Sequence, residues 1–355
     1  MTAERQSFRP VAPLPAHGEL LGSAVVKVHP EDFQVAEVPK VLPEGSGEHI
    51  LLEIRKSGLT TGEAVRQLAA HLGVAPRAVS HAGLKDRQGV TSQWLSVHDP
   101  GGQGVPRAGA IDTGLEILRA GRHGRKLRTG ALAGNRFRLR LRAVDAPRDA
   151  VDRRLARMAW HGVPNYFGSQ RFGRAGANLD KALAWHRGEM AVRRRDVQGL
   201  LLSAARSEVF NRVLRRRVEA GTWNRAIPGD WMVLDGRGSV FAASDEAPAR
   251  LSRRLSVQAI HPTGPMPGVG DALVSDRARA IEQAVMDECH ELVALLTRRR
   301  VKVQRRALRL RVADLAWRWP ARGVLELAFR LPPGAYATTV VAECFQIGDN
   351  SPNYR

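Results

Sequence analysis

The chain has 355 residues, too long for one ordinary compact domain and about right for two, and its 43% hydrophobic residues can furnish a sizeable core. Against 35 acidic residues stand 55 Lys and Arg, mostly Arg, leaving a formal charge of +20 that points to a polyanionic partner. Only two cysteines occur, Cys289 and Cys344, with no Cys/His cluster beside either, so a reducing compartment without structural zinc is expected. No apolar run approaches membrane-spanning length and Met1–Pro15 carries no signal pattern, so the expected location is cytoplasmic.

Residues 1–18 are Pro-rich and polar and read as a loose lead-in. Short strand signals follow at Ala24–Val28, Phe33–Val38 and His49–Arg55, the last with Ile50, Leu52 and Ile54 on one face. Thr61–Leu72 reads as a helix with Val65, Leu68, Ala69 and Leu72 on one stripe and Gly73 to end it. Thr91–His98 is a strand, and the Gly- and Pro-rich Asp99–Gly109 a loop. Arg136–Arg142 alternates most cleanly: Phe137, Leu139 and Leu141 face one way, and Arg136, Arg138, Arg140 and Arg142 the other. That basic face suits either a solvated sheet surface or RNA contact.

Helical patterns dominate the middle. Val151, Leu155, Met158 and Ala159 form one stripe; Ser203 can cap a helix burying Phe210, Val213 and Leu214; Ser275 can cap a longer one with Ile281, Val285, Leu292 and Leu296. His261–Gly270 reads as a Pro/Gly loop, Val324–Leu331 as a strand, and Val340–Phe345 as an apolar helix-like stretch. Strand-rich ends around a helix-rich middle suggest one domain interrupted by another.

The best active-site candidate is His81-Ala82-Gly83-Leu84-Lys85-Asp86-Arg87-Gln88-Gly89-Val90. Gly83 and Gly89 allow tight bending and close approach to a ligand. Asp86 stands between two cations, Lys85 and Arg87, and an ionised Asp can act as a covalent nucleophile. By itself the segment reads rather as an Asp that anchors a turn or neutralises its neighbours.

Gly83-Leu84-Lys85-Asp86, followed by Val90-Thr91 and Gln93-Trp94, resembles the catalytic motif of the TruD family of tRNA pseudouridine synthases. Asn165-Tyr166-Phe167-Gly168-Ser169-Gln170-Arg171-Phe172-Gly173 resembles a second, highly specific motif of that family. Pro30-Glu31-Asp32-Phe33, Gly134-Asn135-Arg136-Phe137, Ser203-Ala204-Ala205-Arg206-Ser207 and Leu331-Pro332 through Val341 match in order, so the resemblance runs from about Lys27 to Glu343.

The resemblance implies isomerisation of uridine-13 of tRNA to pseudouridine, with no cofactor and no metal. It makes Asp86 the nucleophile, attacking C1′ or C6, and Lys27 its basic partner. Phe33, Asn135 and Phe137 match residues lining the uridine pocket, and on a strand Asn135 and Phe137 point to one face. Tyr336 stands where the family has Phe, keeping an aromatic face and adding a hydroxyl. Uracil edges suit Asn, and extruded bases stack on aromatic rings.

Phosphate contacts must supply much of the affinity for RNA. The Gly-flanked segment with Arg122, Arg125, Lys126 and Arg128 is the first candidate; Arg193–Arg195, Arg215–Arg217 and Arg298–Arg300 are others. Three adjacent helical side chains cannot share a face, and cations at a helix C-terminus already suit its dipole.

The expected fold is α+β, a mixed-sheet pseudouridine-synthase catalytic domain from residues 1–161 and 311–355 interrupted by a helix-rich insertion at 162–310. The expected partner is tRNA; no membrane or protein partner is implied, and a monomer suffices. The rivals are a non-catalytic RNA-binding or RNA-folding protein, which has no need of Asp86, and an RNA methyltransferase, which needs a cofactor-binding Gly-rich turn and, for uridine C5, a nucleophilic Cys.

Overall fold

The structure, a computed structural model, describes residues 8–102 and 104–349. It divides into a sheet unit (Leu21–Asp152, Val312–Gly334 and Phe345–Arg355) and a helix-rich unit (Met1–Leu20, Arg153–Arg311 and Ala335–Cys344). The described stretches 8–20 and 335–344 thus group with the middle of the chain rather than with the sheet segments that adjoin them.

Eight strands come first: β1 (Gly22–Val26), β2 (Phe33–Pro39), β3 (His49–Lys56), β4 (Val79–His81), β5 (Val90–His98), β6 (Gly109–Asp112), β7 (Leu115–His123) and β8 (Leu132–Asp145). The helix-rich segment holds β9 (Val163–Pro164), β10 (Trp231–Leu234), β11 (Val240–Ala242), β12 (Ile260–Met266), β13 (Gln304–Ala307) and β14 (Arg309–Leu310). β15 (Ala313–Ala321), β16 (Val324–Leu331) and β17 (Phe345–Asp349) return to the first unit. There an 11-stranded sheet runs β15-β16-β8-β2-β5-β3-β7-β6, with β1 on β8 and β17, and β4 on β5. The β2–β5 and β1–β17 pairs are parallel and the others antiparallel, so the sheet is mixed.

Period-two patterning sets which face is covered. Ile50, Leu52 and Ile54 of β3 join Leu95, Val97 and Ile117 under helix α1 (Thr61–His71), which contributes Ala64, Leu68 and Ala69. Thr60 caps α1: its hydroxyl accepts from the Glu63 N–H at 3.2 Å, and the Glu63 carboxylate accepts from the Thr60 N–H at 2.7 Å. Gly73, with φ 65°, ends it in the left-handed region. On β8, Phe137, Leu139 and Leu141 are buried while Arg136, Arg138 and Arg140 are exposed. Arg142 grips the buried Asp32 through two hydrogen bonds of 2.8 Å, which holds that carboxyl below its usual range despite the opposing effect of burial.

In the helix-rich unit, α3 (Ala177–Arg187), α4 (Arg195–Glu219) and α7 (His290–Arg298) pack around Phe167, Phe172, Phe210, Leu214, Leu292 and Leu296; α2 (Arg148–His161), α5 (Pro248–Ser256), α6 (Asp276–Glu288) and α8 (Ala337–Val341) complete the helices. Several local expectations change. Ser203 lies inside α4, not at its cap, and its carbonyl accepts from the Ser207 hydroxyl. The expected long helix after Ser275 breaks at Cys289 into α6 and α7. His261–Gly270 opens as part of β12, because pairing with β10 and β13 outweighs its prolines. The stretch 340–345 is the end of α8 followed by β17. The described part of the lead-in is docked: the Val11 N–H reaches Glu208 Oε1 at 3.1 Å, and His17 Nε2 lies 2.8 Å from the Gly162 carbonyl. Among the described residues no helix is long and apolar enough to cross a membrane.

Candidate active site

The candidate nucleophile sits on the loop between β4 and β5, inside the sheet unit. The two cations that flank it in sequence turn elsewhere. Lys85 turns to the buried Glu37 of β2, Nζ to Oε2 2.7 Å, and Arg87 donates from Nε to the Gly58 carbonyl at 2.9 Å. The cations near Asp86 are Lys27, the partner the resemblance implied, and Lys56, which it did not.

Lys27, just past β1, places Nζ 3.3 Å from Asp86 Oδ2 and 4.4 Å from the centroid of the Phe33 ring. Its side chain is only 9% exposed, against 45% for Asp86, so the ammonium is held while the carboxylate remains open to solvent. Lys27 adopts φ 58°, a left-handed conformation that costs a non-Gly residue about 1–3 kcal/mol. The second cation is Lys56, at the end of β3 and fully buried. Its Nζ donates to the Leu59 carbonyl at 2.6 Å, to the Asp86 carbonyl at 2.7 Å and, more loosely, to the Lys85 carbonyl at 3.5 Å. Burial pushes this ammonium down to about 8, with the Asp86 charge acting the other way.

The loop is pinned at further points. The Lys85 N–H donates to the Thr61 hydroxyl at 2.9 Å, and that hydroxyl donates to Gln93 Oε1 at 3.0 Å. Gly89 runs so close to β2 that a Cβ there would lie 2.5 Å from the Phe33 carbonyl oxygen. Gly89 is therefore demanded by backbone proximity rather than by an approaching ligand, whereas a Cβ at Gly83 would meet only ordinary contact, 3.7 Å from Lys85 Nζ.

The resemblance-derived pocket residues of the sheet unit lie on adjacent strands. Phe33 and Phe137 pack edge to face with centroids 6.3 Å apart, and Phe137 stacks on Phe329 at 5.4 Å. Both Phe33 and Phe137 are buried. Asn135, two residues along β8, pairs in register with Glu37, the residue that holds Lys85. Asn135 Oδ1 is buried with no hydrogen-bond donor among the described residues. A polar atom left that way is costly unless something arrives to satisfy it.

Tyr336 belongs to the helix-rich unit, where its hydroxyl accepts from Arg171 Nη2 at 2.7 Å. In the proposed phosphate-contact set, Arg122 is on strand β7 rather than in a loop, and Asp99 occupies its guanidinium at 2.6 Å. Arg125, Lys126 and Arg128 remain exposed. Many other clustered arginines meet carboxylates: Arg194 with Asp196, Arg215 with Glu219, Arg216 with Glu288 and Arg217 with Asp230. No group of three or more His, Cys, Asp or Glu suited to a metal ion occurs among the described residues.

Lys56 and Glu37 are the site residues that motif reading missed. Each carried a signal, since Lys56 continues the inward series Ile50, Leu52, Ile54, and Glu37 continues Phe33, Val35. A charged residue at the next inward position of an alternating strand has to be paired or put to use.

The architecture is that of an α+β protein with a mixed sheet of the pseudouridine-synthase type. The sequence profile of tRNA pseudouridine synthase D (TruD) matches residues 22–180 and 179–344. Similar proteins called tRNA pseudouridine synthase D include one from Ectopseudomonas mendocina, 46% identical over 94% of each chain, and one from Xanthomonas euvesicatoria, 44% identical over 94% of each chain. The chain also superposes on the crystal structure of a Methanosarcina mazei protein assigned to TruD, with a TM-score of 0.69 at 22% identity, covering 92% of this chain and 94% of that one; this likeness speaks for the fold. The chain belongs to the tRNA pseudouridine synthase D family.

Proposed function

We propose that this protein isomerises uridine to pseudouridine in tRNA, at position 13, with Asp86 as nucleophile and without a cofactor. Family membership supports the reaction class. The observation that carries the assignment to Asp86 is its half-open carboxylate, 3.3 Å from a held ammonium, on a loop pinned by Lys56, Glu37 and Thr61.

The target base is hidden in folded tRNA and has to be extruded, which costs a few kcal/mol. In this reading the uracil settles against the Phe33–Phe137 floor, and Asn135 Oδ1 accepts its N3–H. Asp86 then attacks C1′ or C6. The N1–C1′ bond breaks, the base turns in place, C5 bonds to C1′, the bond between Asp86 and C1′ or C6 breaks to return the carboxylate, and C5 gives up its proton while N1 gains one, so composition is unchanged. Lys27 keeps the carboxylate oriented and stabilises its charge before attack and after release. The sheet unit acts as the catalytic domain, and the helix-rich segment as the family's insertion. The thiols offer no rival nucleophile, because burial pushes both Cys289 and Cys344 up to about 12.

The position is tested by mapping pseudouridine, nucleotide by nucleotide, in a tRNA carrying uridine-13 and in the same tRNA with cytidine there. Modification confined to position 13 of the first is expected. Equal modification of both at another uridine would move the target elsewhere.

A further inference from the structure

The helix-rich unit contains arginines of two kinds. Arg217 meets Asp230 at 2.8 Å, Arg305 meets Glu282 at 2.6 Å, Arg212 meets Glu208 at 2.7 Å and Arg187 meets Glu291 at 2.7 Å. Arg171 and Arg206 behave differently: neither takes part in a salt bridge among the described residues. Their partners there are neutral oxygens. Arg171 donates to the Ser203 hydroxyl at 3.0 Å and to the Tyr336 hydroxyl at 2.7 Å. Arg206 donates from Nη2 to the Met266 and Lys302 carbonyls and to Gln304 Oε1, at 3.1–3.2 Å.

These two side chains are gathered in one place. Ser203 and Arg206 are three residues apart and so share a face of α4. Arg206 holds Gln304 of β13, and Arg306, two residues along that strand, donates to Asn165 Oδ1 at 2.7 Å. The guanidinium carbons of Arg171 and Arg306 lie 5.5 Å and 4.0 Å from the centroid of the Phe167 ring. Arg171, Arg206, Arg306, Ser203 and Tyr336 are all half-buried. Cation–π contact with Phe167 offsets part of the desolvation, yet burial and the nearby Arg171 charge still push Arg306 down to about 10. Each guanidinium has five N–H donors, and the Nε atoms of Arg171 and Arg206 are buried with no acceptor among the described residues. Concentrated positive charge with surplus donors and neutral partners is the arrangement an anion stabilises.

We propose that Arg171 and Arg206, with Arg306 behind them, form a binding site for a backbone phosphodiester of the tRNA substrate. Ser203 and the Tyr336 hydroxyl orient the Arg171 fork toward it. Tyr336, where the family pattern expects Phe, thus gains a positioning role through its hydroxyl. The inference rests on the tRNA-modifying reading above and gives it a phosphate contact on the helix-rich unit.

The test is the salt dependence of tRNA binding by wild type, Arg206→Gln, Arg171→Gln, Arg206→Lys and Tyr336→Phe. Each Gln variant is expected to weaken binding several-fold and to flatten the slope of log K against log salt by about 0.9, the signature of one lost phosphate contact. Arg206→Lys keeps the charge and should retain the slope; Tyr336→Phe should weaken binding less than Arg171→Gln. Should one Gln variant prove unstable by thermal melting, the other is read. Wild-type slope and affinity in folded Gln variants overturn the proposal, and so does weakened binding with an unchanged slope. Inorganic phosphate at constant ionic strength separates the sources. Thermal stabilisation of wild type but not of the Gln variants, with tRNA binding untouched, assigns a free-anion site and overturns the backbone assignment. Pseudouridine formation by wild type is measured alongside: its absence defeats the synthase reading, whereas its presence with unchanged slopes defeats only this inference.

Discussion

Replacing Lys56 by Met tests how the sheet holds Asp86, the proposed nucleophile. Met keeps most of the stem volume and removes the ammonium that bonds the Leu59 and Asp86 carbonyls at 2.6 and 2.7 Å. A hydrogen bond from a charged donor contributes about 1.5–3 kcal/mol, so two such bonds and the orphaned carbonyls together amount to roughly 3–5 kcal/mol. That loss is shared between the loop carrying Asp86 and the β3–α1 connection at Leu59, and turnover should fall far more than tRNA affinity. The wild-type pH profile carries the sharper prediction. With the folded-state value pushed down to about 8, the ammonium is lost as pH rises through 8, and the pinning bonds weaken. Turnover should therefore decline above pH 8. Stability from this group moves the other way: between about 8 and the unfolded value of about 10.4 the unfolded chain binds more protons, so its contribution to folding rises with pH. The assay is release of tritium from tRNA labelled at uridine C5, read with melting temperature from pH 6.5 to 9.5. Lys56→Arg, charged throughout, should lose the alkaline decline where the fork fits. Flat turnover to high pH in wild type, or a decline that persists in a folded Lys56→Arg, would refute the reasoning.

Other perturbations follow from buried charge. Glu37→Ala leaves the Lys85 ammonium and the Trp94 N–H without their acceptor, so the sheet unit should lose about 3–5 kcal/mol in denaturant titrations and turnover should drop with it. Glu343 is buried and its carboxyl is pushed up to about 7, mainly by desolvation. A folded-state value above the unfolded one means that stability from this group is present in acid and lost as pH rises through 4.5 to 7, so Glu343→Gln should raise the melting temperature at pH 8 and do little at pH 5. Gly89→Ala puts a methyl group 2.5 Å from the Phe33 carbonyl oxygen, and turnover should fall because β2 or the Asp86 loop has to shift.

The regular parts of the fold were legible where one face is buried and the other wet. β8 and β16 follow their alternation, β3 does so apart from the buried Leu51, α1 follows its stripe and cap, and β5 is a strand as expected though buried on both faces from Gln93 to Val97. Tertiary pairing defeated local reading elsewhere: β12 is a strand despite Pro262 and Pro265, and Phe345 starts a strand because Gly22–Val26 pairs with it. The Asp86 loop could be placed by motif. Its partner Lys27 could be named by resemblance and does lie 3.3 Å from Asp86, but the rest could not be read, because Lys85 and Arg87 are neighbours in sequence whose charges engage Glu37 and the Gly58 carbonyl, while Lys56 arrives from the end of β3. The inward positions of Lys56 and Glu37 were readable in principle, yet only the fold reveals that both support the same loop.

In the proposed reaction Asp86 makes and breaks the bond to the nucleoside. The most direct test of that role is pseudouridine formation by wild type and by Asp86→Asn, with tRNA binding measured in parallel. Asn keeps the size and removes the charge. Wild type is expected to convert its uridine while the variant binds tRNA with similar affinity and makes no pseudouridine. A variant that still forms pseudouridine at an appreciable rate would contradict it.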